Sequence, residues 1–429
     1  MKKLFFTAAF IIALTVGFLS CNNDDSPIES PTNIERPSNK RSFNEALIIA
    51  QNATNMLGDK QSRSTHRTIN RDDAFAICSG SAQSRNSDTL LYIFNYDDNA
   101  GYAIVSASLN TEGLLAVAES GRLDSKEQSE NPGVNMFIDL AKSYVALSDT
   151  GKITVEGKIG GDISTPTMQK EENETIYSCV IEPRLKINWG QDGFEGSLFS
   201  NRKAGCATIA ILNAFTYLEQ PTSIQLTKID NSILEIDWQL IKSLPTSSST
   251  GELWPDIDTP WIISNLCREI ALRCGINNSD DNNTYIRLNN MYNTLKQMLP
   301  SNVSTLQSNY HGSTRGHLSG IEIVSGSYKE NGTDITKAHV WVVDGTKYYE
   351  YIHRRYIKPD NRINWILTDE FNHTVDYQHI NWGNRGLDNG YYSTGVFNQN
   401  CCDKLDYNGL SSIEPHNYSI NLYYFNVTK

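Results

Sequence analysis

A glycine and a cysteine open the most strongly apolar helical stretch of this chain. After Gly205-Cys206, apolar side chains recur at helical spacing until Pro221, which ends the run. The repeating positions are Ile209, Ala210, Ala214, Phe215 and Leu218. The sequence therefore predicts a helix that starts at Cys206 and buries one face. The first-turn N–H groups and the positive end of a helix favour a thiolate, so Cys206 is a candidate nucleophile.

A histidine lies far downstream, in an apolar run predicted to be a strand. This residue is His339, and Asp344-Gly345 a few positions later predicts a hairpin turn. A neighbouring imidazolium lowers the pKa of a thiol and provides a general base. Taken singly, each residue has an ordinary structural interpretation, since a lone cysteine is usually a small buried hydrophobe.

Two further segments flank this pair in the order that the chemistry needs. Upstream, Asn188-Trp189-Gly190-Gln191 offers the side-chain amide of Gln191, which can donate a hydrogen bond to an oxyanion. Downstream, Asn381-Trp382-Gly383 is followed by Gly390-Tyr391-Tyr392.

Together these segments resemble the streptopain-like cysteine peptidases, secreted bacterial relatives of papain. The separation of Cys206 and His339 falls within the roughly 130–150 residues typical of papain-like enzymes. The resemblance implies Cys206 as nucleophile, His339 as general base and acid, and Gln191 as oxyanion-hole donor. It assigns the orientation of the imidazole to Asn381 or Trp382 and leaves open which of them acts.

The resemblance also implies a papain-like fold in which a helical lobe carries the nucleophile and a sheet lobe carries the base. Three residues depart from the family pattern: Ala338 replaces the glycine before the histidine, and Asn384 replaces a tryptophan and is followed by Arg385. Because a large aromatic is lost close to the expected cleft, the specificity of the family is not carried over to this chain.

The region before the cysteine predicts a small separate α+β unit. Ser42 and Glu45 form a capping box at the start of a helix. Three strands are predicted at 90–94, 101–106 and 114–118, and a helix is predicted from Asn131-Pro132 to Tyr144. This block resembles the propeptide of the same peptidases, which also occurs as a separate inhibitor. The predicted fold class is therefore α+β, a propeptide domain followed by a two-lobe peptidase domain.

The first residues predict export. Lys2 and Lys3 precede an apolar run that ends at Ser20-Cys21, which is the pattern of a bacterial lipoprotein signal in which Cys21 is lipidated. The alternative is an ordinary signal peptide cut near Ser20. The predicted divisions are a signal over 1–21, a tether over 22–41, the propeptide domain over 42–150, a linker and processing region over 151–180, and the peptidase domain over 181–429.

Composition restricts the partners. A net charge of −12 without a basic cluster argues against nucleic acid, and it leaves the lipid as the predicted membrane contact. The eight cysteines include no CxxC pair, and the eight histidines show no HExxH spacing, so we expect no metal. A phosphate-binding or dinucleotide motif is also absent from the sequence, and no cofactor is expected.

The predicted function is that of a surface-anchored or secreted cysteine endopeptidase made as a zymogen. Residues 42–150 would block the cleft, and protein or peptide substrates would be hydrolysed after a cut in the linker. Two alternatives use the same scaffold. One is an inactive surface lipoprotein that binds or inhibits a partner, and the other is an acyl or amide transferase in which an amine replaces water.

Overall fold

A computed structural model of the chain describes residues 40–57, 67–79, 89–124, 129–149, 168–243, 258–276, 284–310, 312, 318–329, 336–358, 366–397 and 421–429. The signal, Cys21, most of the tether, residues 151–167 of the predicted linker, and Cys401-Cys402 lie outside the described residues. Within the described part, no helix combines the length and the apolar character needed to cross a membrane.

The N-terminal part has the two helices and three strands that the sequence predicts, and one further strand, Phe75–Cys78, that it does not. They are α1 (Phe43–Ala53), β1 (Phe75–Cys78), β2 (Thr89–Asn95), β3 (Tyr102–Ser106), β4 (Leu114–Ala118) and α2 (Pro132–Asp149). Ser42 and Glu45 form the predicted capping box at the start of α1, with both reciprocal hydrogen bonds present. We call residues 40–149 of this structure the prodomain.

The C-terminal part combines helices with long antiparallel strands. Its helices are α3 (Cys206–Leu218), α4 (Trp238–Ser243), α5 (Asp258–Arg273) and α6 (Leu288–Met298). Its strands are β5 (Met168–Ile181), β6 (Ser223–Gln225), β7 (Ile233–Glu235), β8 (Gln307–Ser308), β9 (Ile321–Lys329), β10 (Thr336–Lys358), β11 (Ile366–Asn381), β12 (Gly390–Ser393) and β13 (Asn421–Val427). The fold is α+β, as predicted, and we call residues 168–429 the catalytic part because they contain the candidate residues Cys206 and His339.

One sheet runs through both parts of the molecule. Its strand order is β1-β2-β3-β4-β12-β11-β10-β9-β13-β8, and β5 also pairs with β10. Antiparallel pairs Gly390 with Ala118 and Tyr391 with Val117 join β12 of the catalytic part to β4 of the prodomain. The described residues of both parts accordingly form one compact unit.

Helix α3 is more deeply buried than its one-sided apolar pattern predicts. All but two of its 13 residues are buried, including Thr208 and Asn213, because α5, α6, β9 and β10 all pack around it. The helix ends at Leu218, where Glu219 adopts a left-handed conformation (φ 56°), two residues before Pro221. Helix α3 thus starts at the predicted cysteine, and the helix is packed into the core.

Asp344-Gly345 does not form the predicted hairpin turn. The pair lies inside β10, where Asp344 is the extra residue of a bulge between the pairs Val343–Ile380 and Gly345–His379. The Asp344 carboxylate accepts hydrogen bonds from the Leu185 backbone N–H at 2.9 Å and from His379 Nδ1 at 2.6 Å. These tertiary contacts explain why the local turn signal is overridden.

The second half of the predicted linker is also structured. From Met168 onward the chain forms β5, which pairs along β10 as far as Ile181. Its side chains from Glu174 to Ser178 are exposed, including the apolar Ile176 and Tyr177. The described residues therefore shorten the candidate processing region to the segment before Met168, and cleavage there stays a prediction.

Candidate active site

Cys206 is the first residue of α3 and follows a glycine that no other residue could replace without strain. Gly205 has a φ of 83°, and a Cβ at this position would lie 2.7 Å from the carbonyl oxygen of Thr284. This turn places Cys206 half-buried at the helix start. Burial raises the pKa of its thiol, while the backbone N–H groups of Val340 and Ala207 act in the opposite direction. The thiol therefore lies against the residue that follows His339.

His339 lies on β10 and is only 2% exposed. Its Nε2 donates a hydrogen bond to the carbonyl oxygen of Trp382 at 3.2 Å, which fixes the tautomer because a carbonyl only accepts. Burial lowers the pKa of His339 to about 4, and the bond to Trp382 opposes this shift. Both the thiol and the imidazole are therefore neutral at pH 7 in this form.

The candidate nucleophile Cys206 and the candidate base His339 are neighbours that do not hydrogen bond each other. Within the described part of the chain, Cys206 Sγ and His339 share no hydrogen bond. An active thiolate–imidazolium pair requires both groups to change their ionisation. The structure thus represents an arrangement in which the candidate catalytic groups are in place and uncharged.

Of the two residues that the sequence left open, Trp382 contacts the histidine. Its carbonyl accepts from His339, and its indole lies 6.0 Å from the imidazole between ring centroids. The side chain of Asn381 instead accepts from the Gly383 backbone N–H at 2.9 Å. Asn389 supports Trp382 by accepting its backbone N–H at 3.0 Å.

Gln191 lies in a loop that is tied to the approach to Cys206. Its backbone carbonyl accepts from the N–H of Ala204, two residues before the cysteine, at 2.6 Å. The Gly190 N–H donates to the Glu195 carboxylate at 3.1 Å. The structure therefore brings the predicted oxyanion donor into the same neighbourhood as Cys206.

Arg385 was noted in the sequence only as a departure, yet it holds this loop. Its guanidinium contacts Asp192 at 2.9 Å and Glu195 at 3.2 Å, and its backbone N–H donates to the Trp189 carbonyl. Burial raises the pKa of Glu195 to about 7, and Arg385 opposes that shift. The sequence signal for this contact was the pair of acids close to Gln191, because neighbouring carboxylates are stabilised by a cationic side chain.

The prodomain covers the candidate site through the first turn of α2. A Cβ at Gly133 would lie 2.4 Å from Trp382 Cε3 and 2.7 Å from His339 Cδ2. Farther along α2, Met136 Sδ lies 2.8 Å from the position that a Cβ of Gly326 would occupy. Prodomain and catalytic residues also share one apolar core, which includes Phe137, Trp341 and Trp382. The sequence does not reveal the role of Gly133, because no local pattern marks a glycine as a contact between the two parts.

The residues that the structure describes contain neither a metal-binding cluster nor a disulfide. No group of three or more His, Cys, Asp or Glu side chains there could hold a metal ion. Cys78, Cys179, Cys206, Cys267 and Cys274 are free thiols. The expectation of no cofactor stays a prediction.

Comparison with protein-family models gives a match for the prodomain. The model of a family described as Spi protease inhibitor matches residues 33–145. A search of curated proteins finds no match.

Two solved structures from Prevotella intermedia show partial structural similarity to this chain. A mutant fragment of prointerpain A has 14% identity and a TM-score of 0.45, covering 82% of this chain and 99% of its own. The active interpain A cysteine protease has 14% identity and a TM-score of 0.31, covering 50% of this chain and 85% of its own.

Proposed function

We propose that this protein is the zymogen of a cysteine endopeptidase. The observation that carries the proposal is the seal at Gly133, where the start of prodomain helix α2 presses against both His339 and Trp382. A prodomain helix that covers the histidine of a candidate cysteine and histidine pair is the arrangement expected of a latent peptidase. The match of residues 33–145 to a protease inhibitor family supports it.

The residues have distinct roles in the proposed reaction. Because Nε2 of His339 is committed to the Trp382 carbonyl, Nδ1 is the nitrogen that would take the proton from Cys206. The thiolate would attack a peptide carbonyl, and the Gln191 amide with backbone N–H groups would stabilise the oxyanion. His339 would then protonate the leaving amine and deprotonate the water that hydrolyses the thioester.

Removal of the prodomain would activate the pair through solvation. Burial is the cause of the low pKa of His339 and of the raised pKa of Cys206. Water admitted to the cleft would favour the charged forms of both groups. The same step would leave Gln191 and its loop in place, since their described contacts lie within the catalytic part.

The first test compares purified residues 22–429 with the Cys206→Ala variant on denatured casein under reducing conditions. We expect casein loss and a shortened chain only in the unmutated protein. If neither protein acts, even after an added protease has cut within residues 151–167, the inactive binding-protein alternative is the better one. The absence of a Cys206–His339 hydrogen bond is the observation in its favour.

Two further points are tested separately. Adding an amine acceptor and analysing the products distinguishes hydrolysis from amide transfer. For localisation, we propose a lipoprotein whose membrane contact is a lipid on Cys21. Metabolic labelling with a fatty acid should mark the unmutated chain and fail with Cys21→Ser, whereas equal labelling would contradict the anchor.

A further inference from the structure

Asp388 is a buried carboxylate beside the candidate active site that the proposed reaction does not use. It is 4% exposed and has a left-handed backbone (φ 65°) in the loop between β11 and β12. The next residue, Asn389, supports Trp382. Asp388 is therefore one position from the group that contacts the tryptophan of the site.

Every described side chain that hydrogen bonds this carboxylate belongs to the prodomain. Ser129 Oγ and Asn131 Nδ2 each donate to Oδ2 at 3.3 Å. A Cβ at Gly121 would lie 2.6 Å from Oδ1, so prodomain backbone closes the remaining side. Burial raises the pKa of Asp388, which means that covering its charge carries a cost.

Asn131 links this carboxylate directly to the seal over the histidine. Its Nδ2 faces Asp388, while its Oδ1 accepts the Gly133 N–H at 3.0 Å. One asparagine side chain therefore spans the distance between Asp388 and the residue that covers His339. The carboxylate consequently lies at the rim of the cleft that the prodomain fills.

When the prodomain leaves, the carboxylate loses these donors together. Arg385, the nearest arginine along the chain, is already paired with Asp192 and Glu195. An uncompensated negative charge at the rim of a cleft favours a cationic group, because charge-assisted hydrogen bonds are about twice as strong as neutral ones.

We propose that Asp388 forms a subsite that binds an arginine or lysine side chain of the substrate, and that Asn131 occupies this subsite in the zymogen. The substrate half of this proposal rests on the proposed peptidase function. The zymogen half does not, so the two halves are tested by different measurements.

The first measurement needs no catalysis. A specific cleavage site is placed within residues 151–167, the chain is cut, and the rate of Cys206 alkylation by iodoacetamide reports how often the prodomain lifts. Asn131→Asp keeps the size and the helix-capping acceptor but faces Asp388 with a second carboxylate. We expect roughly tenfold faster alkylation, with a return to nearly the original rate in the Asn131→Asp, Asp388→Asn double variant. An equal acceleration with and without Asp388→Asn would overturn the pairing.

The second measurement uses the cut chain on fluorogenic peptides that vary one position at a time among Arg, Lys, Gln and norleucine. We expect one position where Arg and Lys exceed norleucine by about tenfold in kcat/KM. Asp388→Asn should remove this preference and Asp388→Glu should keep part of it. Asp230→Asn, a change at an exposed carboxylate that caps its own turn with Ser232, is the control.

The outcomes distinguish a failure of the Asp388 subsite from a failure of the proposed peptidase function. Cleavage without a basic preference at any position, or with a preference that survives Asp388→Asn, overturns the subsite and leaves the peptidase intact. No cleavage by any variant overturns the substrate half together with the proposed function. The alkylation measurement still decides whether Asp388 holds Asn131.

Discussion

At the scale of single residues, Gly133 carries the contact between the two parts of the molecule. Its lack of a side chain lets the backbone of α2 approach Trp382 and His339 more closely than any Cβ would allow. The candidates Cys206, His339, Gln191 and the Asn381-Trp382 pair could be proposed from local motifs, and their roles stay predictions. Gly133 could not, because the need for a glycine arises from Trp382 and His339, which lie more than 200 positions away in the sequence.

We expect Gly133→Ala to loosen the prodomain without any cleavage. Overpacking of this kind costs about 1–3 kcal/mol, which corresponds to a roughly 5- to 150-fold rise in the open population. The rate of Cys206 alkylation in the uncut chain measures it. Ser143→Ala, on the same helix, is the control, and equal rates for both variants would contradict a seal at Gly133.

His339 should make prodomain binding sensitive to acid. Its pKa is lowered to about 4 by burial, so the docked form favours the neutral imidazole. Docking of the prodomain is therefore strongest above pH 6.5, the ordinary pKa of histidine. The free energy of docking weakens as the pH falls from 6.5 towards 4, by about 3 kcal/mol at the lower limit.

The measurement is the retention of the prodomain by a cut Cys206→Ala chain at pH 7.5 and pH 5. We expect loss at pH 5, and a smaller pH effect when His339→Gln removes the titrating group. A pH effect of the same size in both proteins would assign it to other residues.

At the scale of elements, the loop over 189–195 and the segment over 383–386 are joined by the contacts of Arg385. The sequence revealed each segment as a motif but could not pair Arg385 with Asp192 and Glu195, which lie about 190 positions away. The same limitation explains Asp344-Gly345, where contacts with Leu185 and His379 decided against the local turn signal. The strands and helices of the prodomain were predictable because their patterns are local.

Arg385→Ala should lower kcat of the activated enzyme about tenfold while changing KM little, because the loop would hold the Gln191 amide less firmly in the transition state. Arg354→Ala is a matched control. Arg354 also pairs with two carboxylates, Glu174 and Glu370, on the strands that β10 pairs with. A similar fall in kcat with both variants would show a general effect of losing an ion-paired arginine.

At the scale of the whole molecule, the prodomain is built into the sheet of the catalytic part rather than placed over it. The pairing of β4 with β12 and the shared core around Phe137 and Trp382 make the two parts structurally continuous. Two separate domains were the natural expectation from sequence, since strand pairing between distant segments has no local signature.

We therefore expect the uncut Cys206→Ala chain to unfold in one thermal transition whose midpoint does not depend on protein concentration. After a cut within residues 151–167, the midpoint should fall and then rise with concentration, because docking becomes bimolecular. Differential scanning calorimetry at several concentrations measures both. Two separate transitions in the uncut chain would contradict the continuous sheet.

The junction of β4 and β12 also bears on what happens after release. Departure of the prodomain turns Gly390–Ser393 from an interior strand into a sheet border with free backbone donors and acceptors. Such borders pair readily with other extended chains, including a second copy of the same protein. The newly freed enzyme would thus be prone to self-association just when it becomes active, and dilution into the surroundings would protect it.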